Sequence, residues 1–157
     1  MDSTQTDYAT RFAVGTTAEA SRTVTEEDVL QFADMTGDHN PFHVDEAFAA
    51  GTKFGGRIAH GLLVAGLLSG VLGMTLPGPG AVYASQTLTF LRPVHIGDTI
   101  TVRVEVVELI LERKRIRAAT TWRNQRGEPV LEGEAWLTLP RPPAAPAGTP
   151  QQPGVPA

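Results

Sequence analysis

The sequence contains no cysteine, so the chain can form neither disulfide bonds nor thiolate zinc sites, and it has no thiol nucleophile. Charge is also sparse: 19% of the 157 residues are charged, and the formal net charge is −4. The absence of a long basic run argues against nucleic acid or anionic lipid as the main partner. With this length and 41% apolar residues, the chain is predicted to fold as a single globular domain.

Long apolar runs are missing as well. The longest, from Ile58 to Met74, is interrupted by His60, Ser69 and several glycines and is too short for a membrane span. The first residues, MDSTQTDYATRF, lack the charged and then apolar layout of a signal peptide. We therefore expect a soluble, cytoplasmic protein.

The end of the chain differs sharply in composition from the rest. Residues 140–157, PRPPAAPAGTPQQPGVPA, are rich in proline and offer few side chains for packing. They are predicted to form a disordered tail, so that the folded unit ends near Leu139.

Helix signals dominate the first half of the chain. Thr25 and Asp28 form an acidic helix start, and Gly37 lies where that helix should end. Asp45 is predicted to cap a second, short helix. The segment that follows, GGRIAHGLLVAGLLSGVLG, carries apolar residues on nearly every face, which predicts a helix over residues 58–73 that is buried all round.

Strand signals dominate the second half. Four segments are rich in Val, Ile, Thr and aromatic residues, and turn residues separate them: 82–93, 99–109, 115–122 and 130–139. In the second of these, Ile100, Val102, Val104 and Val106 alternate with polar residues. Helices followed by adjacent strands predict an α+β protein, in which an antiparallel sheet wraps around the buried helix.

The turn between the first two predicted helices, GDHNPFHVD, concentrates polar groups. Asn40 precedes Pro41 and is therefore pushed out of helical geometry. A turn of this kind can bring the Asp38 carboxylate and the His43 imidazole to one side, where the two groups can exchange protons with a water molecule. Asn40 would supply an amide that fixes their geometry.

Other interpretations of this turn stay open on composition alone. Asp38 and Asn40 are ordinary turn residues, and the histidines could simply be exposed. A metal site made of histidine and carboxylate ligands is conceivable, but the helical spacing of a zinc protease is missing. A calcium loop fails, because Phe42, His43 and Ala49 occupy positions that require an oxygen ligand, glycine and glutamate.

A second candidate site lies where the buried helix begins, in RIAHG (57–61). N–H groups in the first turn of a helix have no helical acceptor, and the helix dipole is positive there. Gly61 has no side chain to block a ligand, so its N–H suits an oxyanion hole for a carbonyl that becomes enolate-like. His60 is interpreted as a partly buried histidine that is hydrogen-bonded to the turn.

Together these segments resemble the hydratase-2 motif of the MaoC-like, (R)-specific enoyl-CoA hydratases. The resemblance runs through GDHNPFHVDEAFAAGTKFGGRIAHGLLVAGLLSG and continues in LTFLRPVHIGDTITVRVEVVEL. It covers residues 23–139 as a single domain and leaves residues 1–22 as an N-terminal extension. It implies a hotdog fold, a homodimer, and hydration of trans-2-enoyl-CoA to (R)-3-hydroxyacyl-CoA, with coenzyme A as part of the substrate and no separate cofactor or metal.

The resemblance also implies a role for individual residues. Asp38 and His43 match the catalytic pair, and Asn40 matches the amide between them. Gly61 matches the residue whose N–H binds the thioester oxygen, and Ser69 matches a helix serine near the catalytic histidine.

Two other functions remain as alternatives. A hotdog fold alone does not imply chemistry, so the chain could be a non-catalytic subunit that binds acyl thioesters. A hotdog acyl-CoA thioesterase is the other, although such an enzyme is expected to carry a carboxylate on the central helix, and residues 58–73 contain none. For the coenzyme A phosphates the sequence offers Arg92 and the basic residues between 113 and 117, which would otherwise form a solvated strand face.

Overall fold

A computed structural model describes residues 3–140. The helices are α1 (Ser3–Arg11), α2 (Glu26–Thr36), α3 (Pro41–Val44), α4 (Glu46–Ala50) and α5 (Gly61–Met74). The strands are β1 (Thr17–Thr23), β2 (Val82–Gln86), β3 (Thr89–Phe90), β4 (Thr99–Ile110), β5 (Arg115–Arg123) and β6 (Pro129–Thr138). The α+β class is therefore confirmed.

The strands form one antiparallel sheet of six, in the order β1-β4-β5-β6-β2, with β3 also paired to β6. Strand β4 shows why the sequence forms this sheet. Its apolar residues, Ile100, Val102, Val104 and Val106, are all buried, as the alternation predicts. One face of the sheet is thus apolar, and it packs on α5, which contributes Val64, Leu68, Val71 and Leu72 to the same core.

Helix α5 differs from its prediction in two ways. It begins at Gly61 rather than at residue 58, because Ile58 forms a bridge with His95 and the Ala59 N–H donates to the carbonyl of Val94. It is also not buried all round: Leu62 is 62% exposed and Met74 is 74% exposed. Across residues 3–140, no helix combines the length and apolar character needed to cross a membrane.

The N-terminal segment belongs to the fold, which corrects the expected domain start at residue 23. Strand β1 pairs with β4 along its whole length, from Thr17 to Thr23. Helix α1 buries Tyr8 and Phe12 in the main core, and the Tyr8 hydroxyl donates to the carbonyl of Pro140 at 2.6 Å. These apolar contacts are the physical reason why the extension is part of the domain. The predicted disordered tail lies, apart from Pro140, outside the described residues.

Candidate functional site

The polar turn is held by helix ends on both sides. Helix α2 starts with a capping box between Thr25 and Asp28 and ends at Gly37, whose φ of 78° is left-handed, as both sequence signals predict. Asp45 caps α4, also as predicted, by accepting a hydrogen bond from the Phe48 N–H. Part of the chain between these ends is helical: Pro41 starts the one-turn helix α3, and His43 lies within it.

Asn40 makes three hydrogen bonds within the turn, two of them to the predicted catalytic residues. Its backbone N–H donates to Asp38 Oδ1 at 3.2 Å, and its side-chain oxygen accepts from the N–H of Phe42 at 3.2 Å, which caps α3. Its carbonyl accepts from the His43 N–H at 2.8 Å. Asn40 therefore shapes the turn, while its side chain does not line the cavity described below.

Asp38, His43 and His60 meet at one point, although they come from three different elements of the chain. One side-chain polar atom of each lies within 4.8 Å of the corresponding atoms of the other two. The rings of His43 and His60 lie nearly face to face, with centroids 3.8 Å apart and planes inclined by 31°. The structure thus brings together the carboxylate and imidazole that the sequence predicts as a pair, and it adds a second imidazole.

The hydrogen bonds fix the tautomer of each histidine. His43 Nδ1 lies 2.7 Å from the carbonyl of Ile58, and His60 Nε2 lies 2.9 Å from the carbonyl of Asp38. A carbonyl only accepts, so each of these nitrogens carries the proton. The other nitrogen of each ring, His43 Nε2 and His60 Nδ1, is then a lone-pair acceptor.

The two imidazoles differ in their surroundings. His60 is 2% exposed, and burial is the main cause that lowers its pKa, against the hydrogen bond to Asp38, which raises it. His60 is therefore neutral near pH 7. His43 is only half-buried and lines the cavity, so it can meet a substrate.

Gly61 begins α5 directly beside this cluster, with its N–H in the first turn and thus without a helical acceptor. A Cβ at this position would lie 2.5 Å from Cε1 of Phe90, and its three nearest atoms would all belong to that ring. Glycine is therefore needed for the close approach of Phe90, a contact that sequence reasoning missed.

A cavity of about 530 Å³ opens over these groups. Asp38, His43, His60 and Gly61 lie on its wall, and the rest of the wall is mostly apolar: Phe32, Phe54, Ile58, Val64, Phe90, Val94 and Leu131. A few convergent polar groups in an apolar cavity are typical of a small-molecule site. This one has room for an acyl chain beside the Asp38 carboxylate and the two imidazoles.

A carboxylate and two imidazoles at these distances also have the composition of a metal site. The nitrogens that donate to backbone carbonyls leave the other nitrogen of each ring to bind either a proton or a metal ion.

One predicted site residue, Ser69, lies elsewhere, and so does the surface residue His39. Ser69 is eight residues beyond Gly61, about 12 Å along a helix, and it lines a separate groove with Leu62 and Tyr83. His39 is exposed and pairs with Asp34, as the interpretation of a simple surface histidine requires.

The candidate basic residues differ in their position relative to the cavity. Arg92 lines the cavity and donates to the carbonyl of Pro129. Arg117 is instead held between Glu108 and Glu134, at 2.9 Å and 2.6 Å.

Residues 9–126 match the family model described as MaoC like domain. The chain belongs to the MaoC-like family. The match begins upstream of β1, which agrees with the place of the N-terminal segment in the fold.

Similar members of the MaoC-like family are named for related reactions. The 3-hydroxybutyryl-CoA dehydratase of Methylorubrum extorquens is 54% identical over 134 residues, which cover 85% of each chain. The (R)-specific enoyl-CoA hydratase of Rhodospirillum rubrum is 47% identical over 126 residues, covering 80% of this chain and 87% of that protein.

A solved structure gives the same picture. The unliganded R-hydratase PhaJ1 from Pseudomonas aeruginosa superimposes with a TM-score of 0.79 at 45% identity, and the match covers 82% of this chain and 83% of that one. Together with the sheet wrapped on α5, this likeness confirms the hotdog fold.

Proposed function

We propose that this protein is an (R)-specific enoyl-CoA hydratase, a hydro-lyase that converts trans-2-enoyl-CoA to (R)-3-hydroxyacyl-CoA and catalyses the reverse dehydration. The observation that carries the proposal is the wall of the cavity: a carboxylate, an imidazole with a free lone pair, and the start of α5 face one apolar space. Hydration of an enoyl thioester needs these three functions and an acyl site. The activities named for the relatives at 54% and 47% identity support the same reaction.

Asp38 and His43 carry out the proton transfers. His43 donates from Nδ1 to the Ile58 carbonyl, so its Nε2 lone pair is available to take a proton from water as the oxygen bonds to the β-carbon. Asp38 helps to hold that water, and one of the two groups delivers a proton to the α-carbon. The pair gains one proton and gives one back, so it is regenerated after each turnover.

The start of α5 stabilises the negative charge that develops during the reaction. As water adds, charge moves onto the thioester oxygen, which becomes enolate-like. The Gly61 N–H and the positive end of the helix dipole are placed to stabilise this oxygen. Because the thioester itself acidifies the α-carbon, this mechanism requires no cofactor beyond the coenzyme A of the substrate.

The test is hydration of crotonyl-CoA, followed as loss of enoyl-thioester absorbance, with the chirality of the product determined by chiral chromatography. We expect (R)-3-hydroxybutyryl-CoA and no free coenzyme A. Release of free coenzyme A from enoyl and saturated thioesters, without hydration, would instead identify a thioesterase. Tight binding of thioesters without either reaction would identify a binding subunit.

We also propose that the enzyme is a homodimer. Strand β2 lies at the edge of the sheet, and its Val82 is 60% exposed and its Tyr83 43% exposed. Beside it, α5 exposes Leu62, and the groove between them contains Ser69. Continuation of the sheet by a second β2 would cover this apolar edge.

Light scattering tests the dimer. We expect a mass twice the 16.7 kDa of one chain, and a shift toward the single-chain mass when Tyr83→Lys places a charge on the edge. A single-chain mass for the unaltered protein at micromolar concentration would contradict the proposal.

A further inference from the structure

His60 is the one member of the polar cluster that the proposed mechanism does not use. It precedes α5, yet its side chain makes no cap hydrogen bond to that helix. Instead the ring is buried between the ring of Phe32, 4.9 Å away, and that of His43, 3.8 Å away. Its Nε2–H points to the backbone of Asp38, 22 residues earlier in the chain.

Hydrogen bonds to the strand region fix the position of the backbone just before His60. Ile58 forms a bridge with His95, and the Ala59 N–H donates to the Val94 carbonyl at 2.7 Å. The backbone that carries His60 is therefore tied to the strand region. Within the turn that carries Asp38, the hydrogen bonds are mainly short-range. Ile58 ties the far end of the turn to the strand region, through its N–H to the Phe42 carbonyl and its carbonyl to His43 Nδ1. The bond from His60 Nε2 to the Asp38 carbonyl ties the Asp38 end.

The other ring nitrogen gives an independent observation. His60 Nδ1 is buried, and no donor within residues 3–140 reaches it. A buried acceptor without a partner costs free energy, so a histidine retained only for packing is a poor choice for this position. An apolar ring of similar size would fill the same space without that cost.

From these contacts we infer that His60 is a positioning residue for the proposed hydration: it holds Asp38 through the backbone and His43 through ring stacking, so that both face the same water. It keeps its own proton on Nε2 throughout the reaction. The inference rests on the proposed function, since it concerns the geometry of that catalytic pair.

Two substitutions separate this role from simple packing. His60→Gln keeps a side-chain N–H at about the distance of Nε2 and can donate to the Asp38 carbonyl, but it lacks the ring. His60→Phe keeps a ring of similar volume but has no donor. His39→Gln is the matched control, because His39 is exposed and belongs to the same turn.

Steady-state kinetics with crotonyl-CoA give the first readout. A misplacement of about 1 Å costs on the order of 10²-fold in rate, so we expect His60→Phe to lower kcat by about 10- to 100-fold with little change in KM. His60→Gln should retain more activity than His60→Phe, and His39→Gln should match the unaltered protein. If His60→Phe were as active as the unaltered enzyme, or more active than His60→Gln, packing alone would explain His60.

The pH dependence of kcat/KM gives the second readout. The titratable groups around His60 are Asp38, His43 and, further away, His39. If His60 only positions other groups and stays neutral, kcat/KM of His60→Phe should be lower at every pH while the shape of its pH profile is unchanged. Loss of one limb of the profile would show that His60 itself transfers a proton, which would overturn the inference.

A third readout does not depend on activity. Amide hydrogen exchange of residues 38–43 should be faster in His60→Phe than in His60→Gln, with thermal unfolding monitored to confirm that both are folded. If the unaltered protein failed to hydrate any enoyl thioester, the proposed function would fail, and this measurement would still test the link to the turn. Equal exchange in both variants would remove the basis for a positioning role.

Discussion

Gly61→Ala gives the sharpest prediction about the wall of the active site. The added Cβ would lie 2.5 Å from Cε1 of Phe90, whereas ordinary contact begins at 3.4 Å, so the ring must retreat by 0.9 Å. Phe90 is 52% exposed and has room to move, which keeps the cost in folding stability small. The ring also lines the cavity, so its movement changes the surface against which the thioester lies.

The expected cost is therefore catalytic. A displacement of about 1 Å at the reacting group costs on the order of 10²-fold, and we expect that loss in kcat/KM for Gly61→Ala. Gly73→Ala, on the same helix, is the control, because a Cβ there meets no atom within 4 Å apart from the backbone of its own helix. The assay is steady-state hydration of crotonyl-CoA, with thermal unfolding measured on each variant.

A double-mutant cycle with Phe90→Ala tests the cause. If the clash with the ring is responsible, Gly61→Ala should cost less than about tenfold once the ring is gone, since the two residues are coupled. An equal loss in both backgrounds would refute the reasoning, because the methyl group would then act on the substrate directly.

Three further predictions follow from single contacts. Phe12→Ala should lower the free energy of unfolding, measured in urea, by about 3–5 kcal/mol, because Phe12 is 2% exposed. The control Val14→Ala, at a residue that is 65% exposed, should change it by less than about 0.5 kcal/mol. Equal effects of the two substitutions would contradict the packing of α1 on the core. Gly133→Ala should lower the free energy of unfolding by about 3 kcal/mol, since its Cβ would clash with the backbone oxygen of Thr87. An unchanged melting temperature would contradict that contact. Arg92→Ala should raise KM for crotonyl-CoA severalfold at constant kcat, because Arg92 is the basic residue of the cavity wall. The rise in KM should be smaller at high salt, which screens charges. An unchanged KM would exclude a contact between Arg92 and a phosphate.

Features set by neighbouring residues in the chain could be predicted. The capping box at Thr25 and the left-handed Gly37 follow from local hydrogen bonds and backbone freedom, and the structure has both. Strand β4 follows from alternation, because burial on one face of a sheet repeats every second residue. The pairing of Asp38 with His43 also depends on one short turn.

Features set by distant residues could not be predicted. Local apolarity predicts a start for α5 that is three residues too early, because it carries no information about the bridge between Ile58 and His95. The sequence also predicts too short a domain, because the burial of Tyr8 and Phe12 depends on surfaces far along the chain. The contact of Phe90 with Gly61 spans 29 residues and has no signal in the sequence beyond the glycine itself.

The most direct test of the central claim is the rate of crotonyl-CoA hydration by Asp38→Asn and by His43→Gln. The matched controls are Asp34→Asn and His39→Gln, which change the same residue types at exposed positions of the same region. General acid–base groups contribute about 10²–10⁴-fold each, so we expect each active-site variant to lose at least about 10²-fold in kcat while it unfolds at nearly the same temperature as the unaltered protein. Near-normal turnover by either variant, or equal losses in the controls, would contradict the assignment of Asp38 and His43 as the pair that activates water.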